Sequence, residues 1–416
     1  MEELVYGLDF GTTNSAVAIR RQGKVDVLPI GSNGNRTVRS VLYFPDDERR
    51  YYVGEEAVAK YVDNGMHGRF LQSVKSLLPD PHFRGTAIRG FGNQGASELA
   101  AKIISSLKKR ADELLGCKVT SVVVGRPAEF SEVPEKEKVA QDRLLEAVKE
   151  AGFTSVKLQL EPIAAALHYE ETLDKEQIVL VADLGGGTTD FTIMRLSPDR
   201  RNQTDRKSDI LANGGVYIGG DRFDSQIMAH KLFKYFGEGT TFTQLGKTFP
   251  FPVHLLAKLR RWQLIPFLKD SHTRQIIREL LQVSSDVQAI RHLQTLIEEN
   301  LGFALFRSIE KAKVGLSEKD VEEIHFDESD ISIRETVSRE EFEIIIGEEI
   351  REFDKCINRV IEHAGVQTNG IQAVFVTGGT SLVPRVQNFL AAKFGRDKIR
   401  TGDTFTSVVA GLALTK

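Results

Sequence analysis

The stretch Tyr6-Gly7-Leu8-Asp9-Phe10-Gly11-Thr12-Thr13-Asn14 returns in altered form as Val181-Ala182-Asp183-Leu184-Gly185-Gly186-Gly187-Thr188-Thr189-Asp190. Each copy is an apolar run ending in an Asp, then a glycine turn, two threonines and a polar residue leading into a second apolar run. The two aspartates stand 174 positions apart, at 9 and 183. Such a unit reads as a strand–turn–strand hairpin. Glycine permits tight or left-handed backbone and lets amide N–H groups approach an anion with no Cβ in the way. Threonine hydroxyls add donors, and an Asp at a strand end suits a hydrated Mg2+. One copy alone reads as a structural hairpin, since turns of this composition are common. Two copies with the Asp at the same offset predict two related lobes, each offering a phosphate-binding loop to one ligand.

The rest of the composition is compatible with that reading. The chain has 416 residues, 41% apolar and 27% charged, with a formal net charge of -3. This is the profile of a globular protein, with length for about two to three domains. There is no general electrostatic footprint for nucleic acid and no apolar run of the ~18 residues that a membrane helix needs, so neither partner is expected. Cys117 and Cys356 lack metal-type spacing and read as small buried hydrophobes in a reducing compartment. The acidic start, Met1-Glu2-Glu3, runs into a strand without a signal-peptide pattern, so a cytoplasmic location is expected.

Hydrophobic periodicity gives the order of elements. Strands are predicted at Leu4–Phe10, Ser15–Arg21, Lys24–Ile30, Val41–Phe44, Val119–Gly125 and Val156–Leu160. Helices are predicted at Glu55–Val62, Ser97–Leu115 and Lys136–Gly152, and Glu161-Pro162 opens another. A second β-rich block starts at Ile178, and its polar loop Ser197–Asp209 reads as a solvated connection. The chain from Ser225 to about Glu335 reads as largely helical, including a long periodic helix Ala289–Val314 weakened by Gly302. A helix Glu340–Ala364, a strand Ala373–Thr377, a helix beginning near Leu382 and an apolar helix from Ser407 follow. Alternating strands and helices in each half predict two α/β lobes with a cleft between them.

A third glycine turn, Val376-Thr377-Gly378-Gly379-Thr380-Ser381, lies between a strand and a helix and suits a phosphate or ribose. No P-loop, dinucleotide fingerprint, zinc helix or nucleophile elbow occurs. With these motifs in hand, the chain resembles the nucleotide-binding domain of the seventy-kilodalton heat-shock (DnaK-type chaperone) family, within the actin-like ATPase superfamily. The resemblance covers nearly the whole chain. It is carried by Gly7–Ser15, Gly34-Asn35-Arg36-Thr37, Val74-Lys75-Ser76-Leu77 and Glu161–Leu167, then by Asp183–Asp190, Gly219–Asp224, Glu310-Lys311-Ala312-Lys313 and Gly378–Ser381.

What the resemblance implies is specific. The fold would be a two-lobed actin-like ATPase built on ribonuclease H-like repeats. Lobe I would span 1–176, with core 1–38 and 118–176, inserted subdomain 39–117, and completion by a C-terminal helix at 402–416. Lobe II would span 177–401, with core 177–225 and 338–401 and inserted subdomain 226–337. Thr12 and Thr13, with Gly11 and Asn14, and Gly185 to Thr188 would wrap the phosphates of ATP or ADP. Asp9 and Asp183 would hold Mg2+ through its waters, with K+ as a further cation. Lys75 and Glu161 would position the attacking water, with Thr188 and Asp190 nearby. Gly219, Gly220, Asp221, Gly378, Gly379 and Thr380 would approach sugar and phosphates. Glu310, Lys313 and Ser317, spaced for one helical face, would line the adenosine pocket. Turnover would be slow, and nucleotide-driven lobe closure would control a protein partner or co-chaperone.

Departures from the family pattern qualify this. Val314 follows Lys313 where the family usually has an adenine-stacking Arg, an exchange that removes ~0.5–2 kcal/mol of cation–π attraction. Thr404-Phe405-Thr406 replaces an acidic turn, and the segment after Pro127 is longer than usual. Gly239–His292 matches little; its Trp262 reads as packed on a solvated helix, with a partner surface as the alternative. No peptide-binding domain, lid or linker follows in this sequence, so cis-coupled peptide chaperoning is not expected. A small-molecule kinase, an actin-like filament protein and a nucleotide-binding pseudo-ATPase are the competing functional readings.

Overall fold

Both copies of the Asp-Gly-Thr unit are antiparallel hairpins at the centre of a mixed sheet in the computed structural model, which describes residues 4–131, 133–170, 172–200, 203, 206–401 and 406–415. In the first sheet, β1 (Val5–Phe10) pairs antiparallel with β2 (Asn14–Arg21). Strands β3 (Lys24–Val27) and β4 (Thr37–Arg39) extend β2. On its other side β1 runs parallel to β5 (Ser121–Arg126), and β5 to β6 (Ser155–Leu160). The second sheet repeats this plan. Its strands are β7 (Gln177–Leu184), β8 (Thr189–Leu196), β9 (Ile210–Val216), β10 (Ala373–Thr377) and β11 (Ile399–Thr401), in the order β9-β8-β7-β10-β11. β7 is antiparallel to β8 and parallel to β10, as β1 is to β2 and β5. One topology therefore occurs twice, and the two-lobed α/β reading holds.

The registers refine the repeat. Phe10 pairs with Ser15 and Leu184 with Thr189, so the turns Gly11–Asn14 and Gly185–Thr188 are equal in length. Thr12 and Thr13 thus occupy the places of Gly186 and Gly187, and the two Thr-Thr pairs are out of phase. Asp9 lies opposite Ala16, whereas Asp183 lies opposite Asp190. The second copy carries an acid where the first has only a methyl group. The central strands are apolar nearly throughout because elements cover both faces; Tyr6, Leu8, Phe10, Leu180, Ala182 and Leu184 are all buried.

Four helices bring pocket residues or close the lobes. α1 (Glu161–Glu170) starts directly at the end of β6. α2 (Gly220–Ile227) and α3 (Gly302–Gly315) belong to the second half of the chain. α4 (Ser407–Leu414), SVVAGLAL, is apolar on every side, which fits a helix buried all round. Val409 and Ala413 pack on Ala16, Ala18 and Val27, while Val408 and Leu412 pack on Val123 and Ala164. Its close approach depends on two glycines. A Cβ on Gly7 would meet the α4 backbone at Val409 and Ala413, and one on Gly411 would meet the Ala164 carbonyl of α1. Gly411→Val is therefore expected to destabilise the protein by about 1–3 kcal/mol through overpacking, seen as a lower urea midpoint; an unchanged midpoint would refute this packing.

Several local expectations change. The long helix 289–314 is two helices, Val287–Glu298 and α3, broken at Asn300, whose φ is 58°. Gly302 sits at the break, where a Cβ would lie 2.6 Å from the Ile265 side chain. Within the supposedly helical stretch, Thr241–Gln244 and Lys247–Pro250 form a hairpin turning at Leu245-Gly246, both with positive φ. The long 340–364 helix is Arg339–Ile345 followed by Gly347–His363. The loop Ser197–Asp209 is not simply solvated: among its described residues, Arg206 and Asp209 are buried. Arg206 binds both carboxylate oxygens of Glu170, at 2.7 and 2.9 Å, and also pairs with Asp209. Buried charges persist only when paired, and the partner here comes from α1. Cys356 is buried as expected, but Cys117 is exposed, just past the left-handed Gly116 that ends its helix.

Candidate functional site

A cavity of about 760 Å³ lies between the two glycine turns. Asp9, Gly11, Thr12, Thr13, Asn14, Lys75 and Glu161 line it from the first half of the chain. Asp183, Gly185 to Thr188, Asp190, Gly220, Asp221, Glu310, Lys313, Ser317 and Gly378 to Thr380 line it from the second. Gly219 stands behind this wall, where a Cβ would strike the carbonyls of Gly185 and Gly186.

The turns face each other with glycine opposite threonine. A Cβ on Gly186 would collide with the Thr13 side chain, and one on Gly187 would sit 3.3 Å from Thr12 Cγ2. Thr13 Oγ1 is buried without a hydrogen-bond partner, a costly state for a hydroxyl that a bound anion would relieve. The second turn is braced from behind. The Gly185 carbonyl accepts from Thr380 Oγ1 at 2.8 Å and from the Gly220 amide at 3.2 Å, and the Gly186 carbonyl accepts from the Asp221 amide at 2.8 Å. Those two amides of α2 are thus engaged in holding the loop. Gly378, at φ 83°, passes so close to the Leu184 carbonyl that any Cβ would clash.

Lys75 reaches the cleft from a short helical turn, Val74–Leu77, entered through a left-handed Ser73 and anchored by buried Val74 and Leu78. Its Nζ lies 2.8 Å from Glu161 Oε1, with side-chain exposures of 11% and 9%. Burial raises the Asp9 carboxyl to about 7, with the Glu161 charge adding to the rise and Lys75 opposing it. Burial and Glu161 likewise raise Asp183 to about 6. Asp190 is raised to about 7 by burial and by the charges of Asp183 and Glu161, against Lys75 and the Thr188 hydroxyl at 3.4 Å. Burial works against the Lys75 charge too, but Glu161, Asp9 and Asp183 outweigh it and hold its pKa above the ordinary lysine value. One ammonium therefore faces Asp9, Glu161, Asp183 and Asp190, a deficit that a divalent cation would correct. Among the described residues no three acidic, histidine or cysteine side chains are gathered to ligate a metal directly.

At the other end, Glu310 and Lys313 project from α3, while Ser317 lies just beyond its end rather than on the same helical face. Lys313 Nζ pairs with Asp224 at 2.8 Å and donates to the Gly220 carbonyl at 3.0 Å. Arg39 Nη2 donates to both oxygens of Glu310 at 3.1 Å. Neither Arg39 nor Asp224 has a role that sequence alone assigns. Asp224 lies within a family motif; Arg39 has no sequence signal, since its partner is 271 residues away. Val314 lines the cavity and is 60% exposed. Beyond this pair the halves meet through rings: Phe70 lies 5.6 Å from Trp262 and 5.0 Å from Phe303, and Tyr61 lies 5.7 Å from Phe303. Trp262 is thus packed, in agreement with its sequence reading.

The segment after Pro127 also lines the cavity, through Glu129, Phe130, Ser131 and Val133. Arg126 ties it down by donating to the carbonyls of Pro127 and Ala128 and to Gln141 and Glu137. Thr404 and Phe405 lie outside the described residues. Among those described, no helix is long and apolar enough to cross a membrane.

Two duplicated sheets with facing glycine turns and a carboxylate-rich cleft define a two-lobed nucleotide-type site. The Hsp70 protein family model matches residues 5–79, 86–242 and 288–415, and the chain belongs to that family. Its α/β architecture is the family's actin-like ATPase fold. It is 27% identical over 425 residues to the chaperone protein DnaK of Thermosipho melanesiensis, covering 99% of this chain and 59% of that protein. It is 28% identical over 429 residues to the chaperone protein HscA homolog of Actinobacillus pleuropneumoniae, covering 99% of this chain and 57% of that one. The chain thus spans less than two thirds of the length of these relatives. Residues 243–287 fall outside the family match, within the stretch 239–292 whose sequence departs from the family pattern.

Proposed function

We propose that this chain binds Mg2+–ATP in the cleft and hydrolyses it slowly, and that the nucleotide state sets lobe closure against a protein partner. The reading is carried by one observation: a buried ammonium, Lys75, set among Asp9, Glu161, Asp183 and Asp190 beside two facing Gly/Thr turns. Mg2+, held through its waters by Asp9 and Asp183, would neutralise charge on the phosphates. The chain's own groups do the positioning. Thr12, Thr13 and the amides of Gly186 to Thr188 supply donors to phosphate oxygens, while the Gly185 amide closes the turn on the Thr188 carbonyl at 2.9 Å. Lys75 and Glu161, locked together, orient the water. Asp190 stands opposite Asp183 on the neighbouring strand, in the same wall of the cleft. Glu161 is paired with Lys75 rather than free to act as a base, which accords with slow turnover.

Closure has visible contacts to act on: the two turns already touch, Arg39 grips Glu310, and Phe70 meets Trp262 and Phe303. A co-chaperone or client as the partner, a cytoplasmic setting and K+ as a further cation belong to the same proposal. The test is calorimetry with ATP and ADP, plus phosphate release, with and without Mg2+. Expected are Mg2+-dependent binding and slow release. Binding with no release would favour the pseudo-ATPase, and no binding of Mg2+–ATP would overturn the assignment.

A further inference from the structure

Lys75 owes its place to a short turn, and that turn is gripped from outside the cavity by one residue. Arg143, on the helix Pro134–Glu150, directs its guanidinium into the loop that follows Lys75. Its Nη1, sharing two N–H groups among three acceptors, donates to the carbonyls of Leu77 at 3.1 Å, Leu78 at 2.9 Å and Asp80 at 2.7 Å, and its Nη2 donates to that of Phe83 at 3.3 Å. These carbonyls close a run of tight turns in which Leu78 donates to Lys75, Asp80 to Leu77 and Phe83 to Asp80. The same helix buries Ala140, Leu144 and Ala147 in one cluster with Val74 and Leu78, so Arg143 is itself held against the turn. It does not line the cavity. The loop it gathers runs into 80–85, which the family match omits.

We infer that Arg143 is a positioning residue for hydrolysis: by collecting the carbonyls of Leu77, Leu78, Asp80 and Phe83, it fixes the turn that presents Lys75 to the cleft. The chemistry favours arginine specifically. A guanidinium offers five donors in a rigid fork, whereas a lysine ammonium is a compact point charge with three. An ammonium could meet the carbonyls of Leu77, Leu78 and Asp80 from one point, as Nη1 does, but only the second arm of the fork reaches Phe83 as well. Ion pairing does not explain Arg143, since these four guanidinium hydrogen bonds all end on backbone oxygens. The inference rests on the ATPase reading proposed above.

The test compares wild type, Arg143→Ala, Arg143→Lys, Lys75→Ala and the Lys75→Ala/Arg143→Ala double variant. Phosphate release, ADP affinity by calorimetry and amide hydrogen exchange over 74–83 are measured for each. Arg143→Ala is expected to release phosphate at least about tenfold more slowly, because small misplacement of a catalytic group is expensive, and Arg143→Lys, which can keep the carbonyls that meet at Nη1 but not that of Phe83, should lose less. ADP affinity should stay within about twofold, since Arg143 touches no cavity residue but the turn. Exchange over 74–83 should quicken throughout in Arg143→Ala, and less in Arg143→Lys. The double variant should be no slower than Lys75→Ala alone, a non-additivity that a general structural role would not produce. Normal turnover in a folded Arg143→Ala, or losses that multiply in the double variant, would overturn this role and leave the ATPase reading standing. Absence of turnover in wild type would remove both.

Discussion

Lys75→Ala should slow phosphate release by about 10²–10³-fold while Mg2+–ATP still binds, the range seen when one charge-stabilising donor is removed from a preorganised site. This residue has two tasks, one in hydrolysis and one in compensating a buried carboxylate, and they can be separated. Its ammonium faces inward, 2.8 Å from Glu161 Oε1, and phosphate grip is assigned to the two Gly/Thr turns. Loss of the ammonium leaves Glu161 uncompensated at 9% side-chain exposure. Breaking a buried pair from one side costs about 3–5 kcal/mol, so the metal-free variant should also melt earlier than wild type. Lys75→Ala combined with Glu161→Gln separates the two effects. It removes the orphaned charge and should recover much of the stability without recovering turnover. Melting in EDTA, calorimetry with ATP and single-turnover phosphate release read the three quantities. Full turnover in Lys75→Ala would discard the proposed mechanism, whatever its melting temperature.

The parts of this site that sequence could reveal are those built locally. Asp9 with Gly11–Asn14, Asp183 with Gly185–Thr188, and the Gly378-Gly379 turn are each contiguous, because a strand end and a tight turn need particular residues in order. The duplicated sheets followed from the same hairpins. What stayed hidden depends on separation in the chain. Arg39 meets Glu310, Arg143 meets the 77–83 carbonyls, and Arg206 meets Glu170, each through an arginine that reads in sequence as an ordinary surface charge. The break between 298 and 302 was signalled only by Gly302, and the reason for a glycine there, the Ile265 side chain where a Cβ would lie, comes from a segment with little periodic signal. The hairpin 241–250 is illegible in sequence because its strands are short, four residues each, and mostly exposed, so burial imposes no alternation on them. The repeat itself is aligned by its aspartates rather than by its threonines: Asp9 and Asp183 place Gly11 with Gly185, as the strand registers do, whereas Thr12-Thr13 and Thr188-Thr189 are out of phase.

Asp183→Asn should make the metal-free protein more stable and the Mg2+-dependent protein less so. In the absence of Mg2+, the carboxylate of Asp183 is buried beside Glu161, and its pKa of about 6 records how poorly its charge is tolerated there. At pH 8 the group is ionised regardless, so the folded state carries that strain, on the order of 1–3 kcal/mol. Asparagine keeps the shape and removes the charge. Its strand position, opposite Asp190 and next to Thr377 across the parallel neighbour, needs only backbone pairing, which the amide does not disturb. With Mg2+ and ADP the balance reverses. A ligand that binds only the folded state stabilises it in proportion to the logarithm of its concentration over Kd, and loss of one of two acids holding the hydrated ion weakens that term. The expected result is a melting temperature above wild type in EDTA and a smaller rise on adding Mg2+–ADP, with phosphate release falling along with the Mg2+ response. Asp9→Asn, in the other lobe and raised to about 7 by the same causes, should behave alike. An Asp183→Asn protein that melts earlier in EDTA yet keeps the full Mg2+–ADP gain would mean that Asp183 is a structural carboxylate and that the cation, if bound, is held elsewhere.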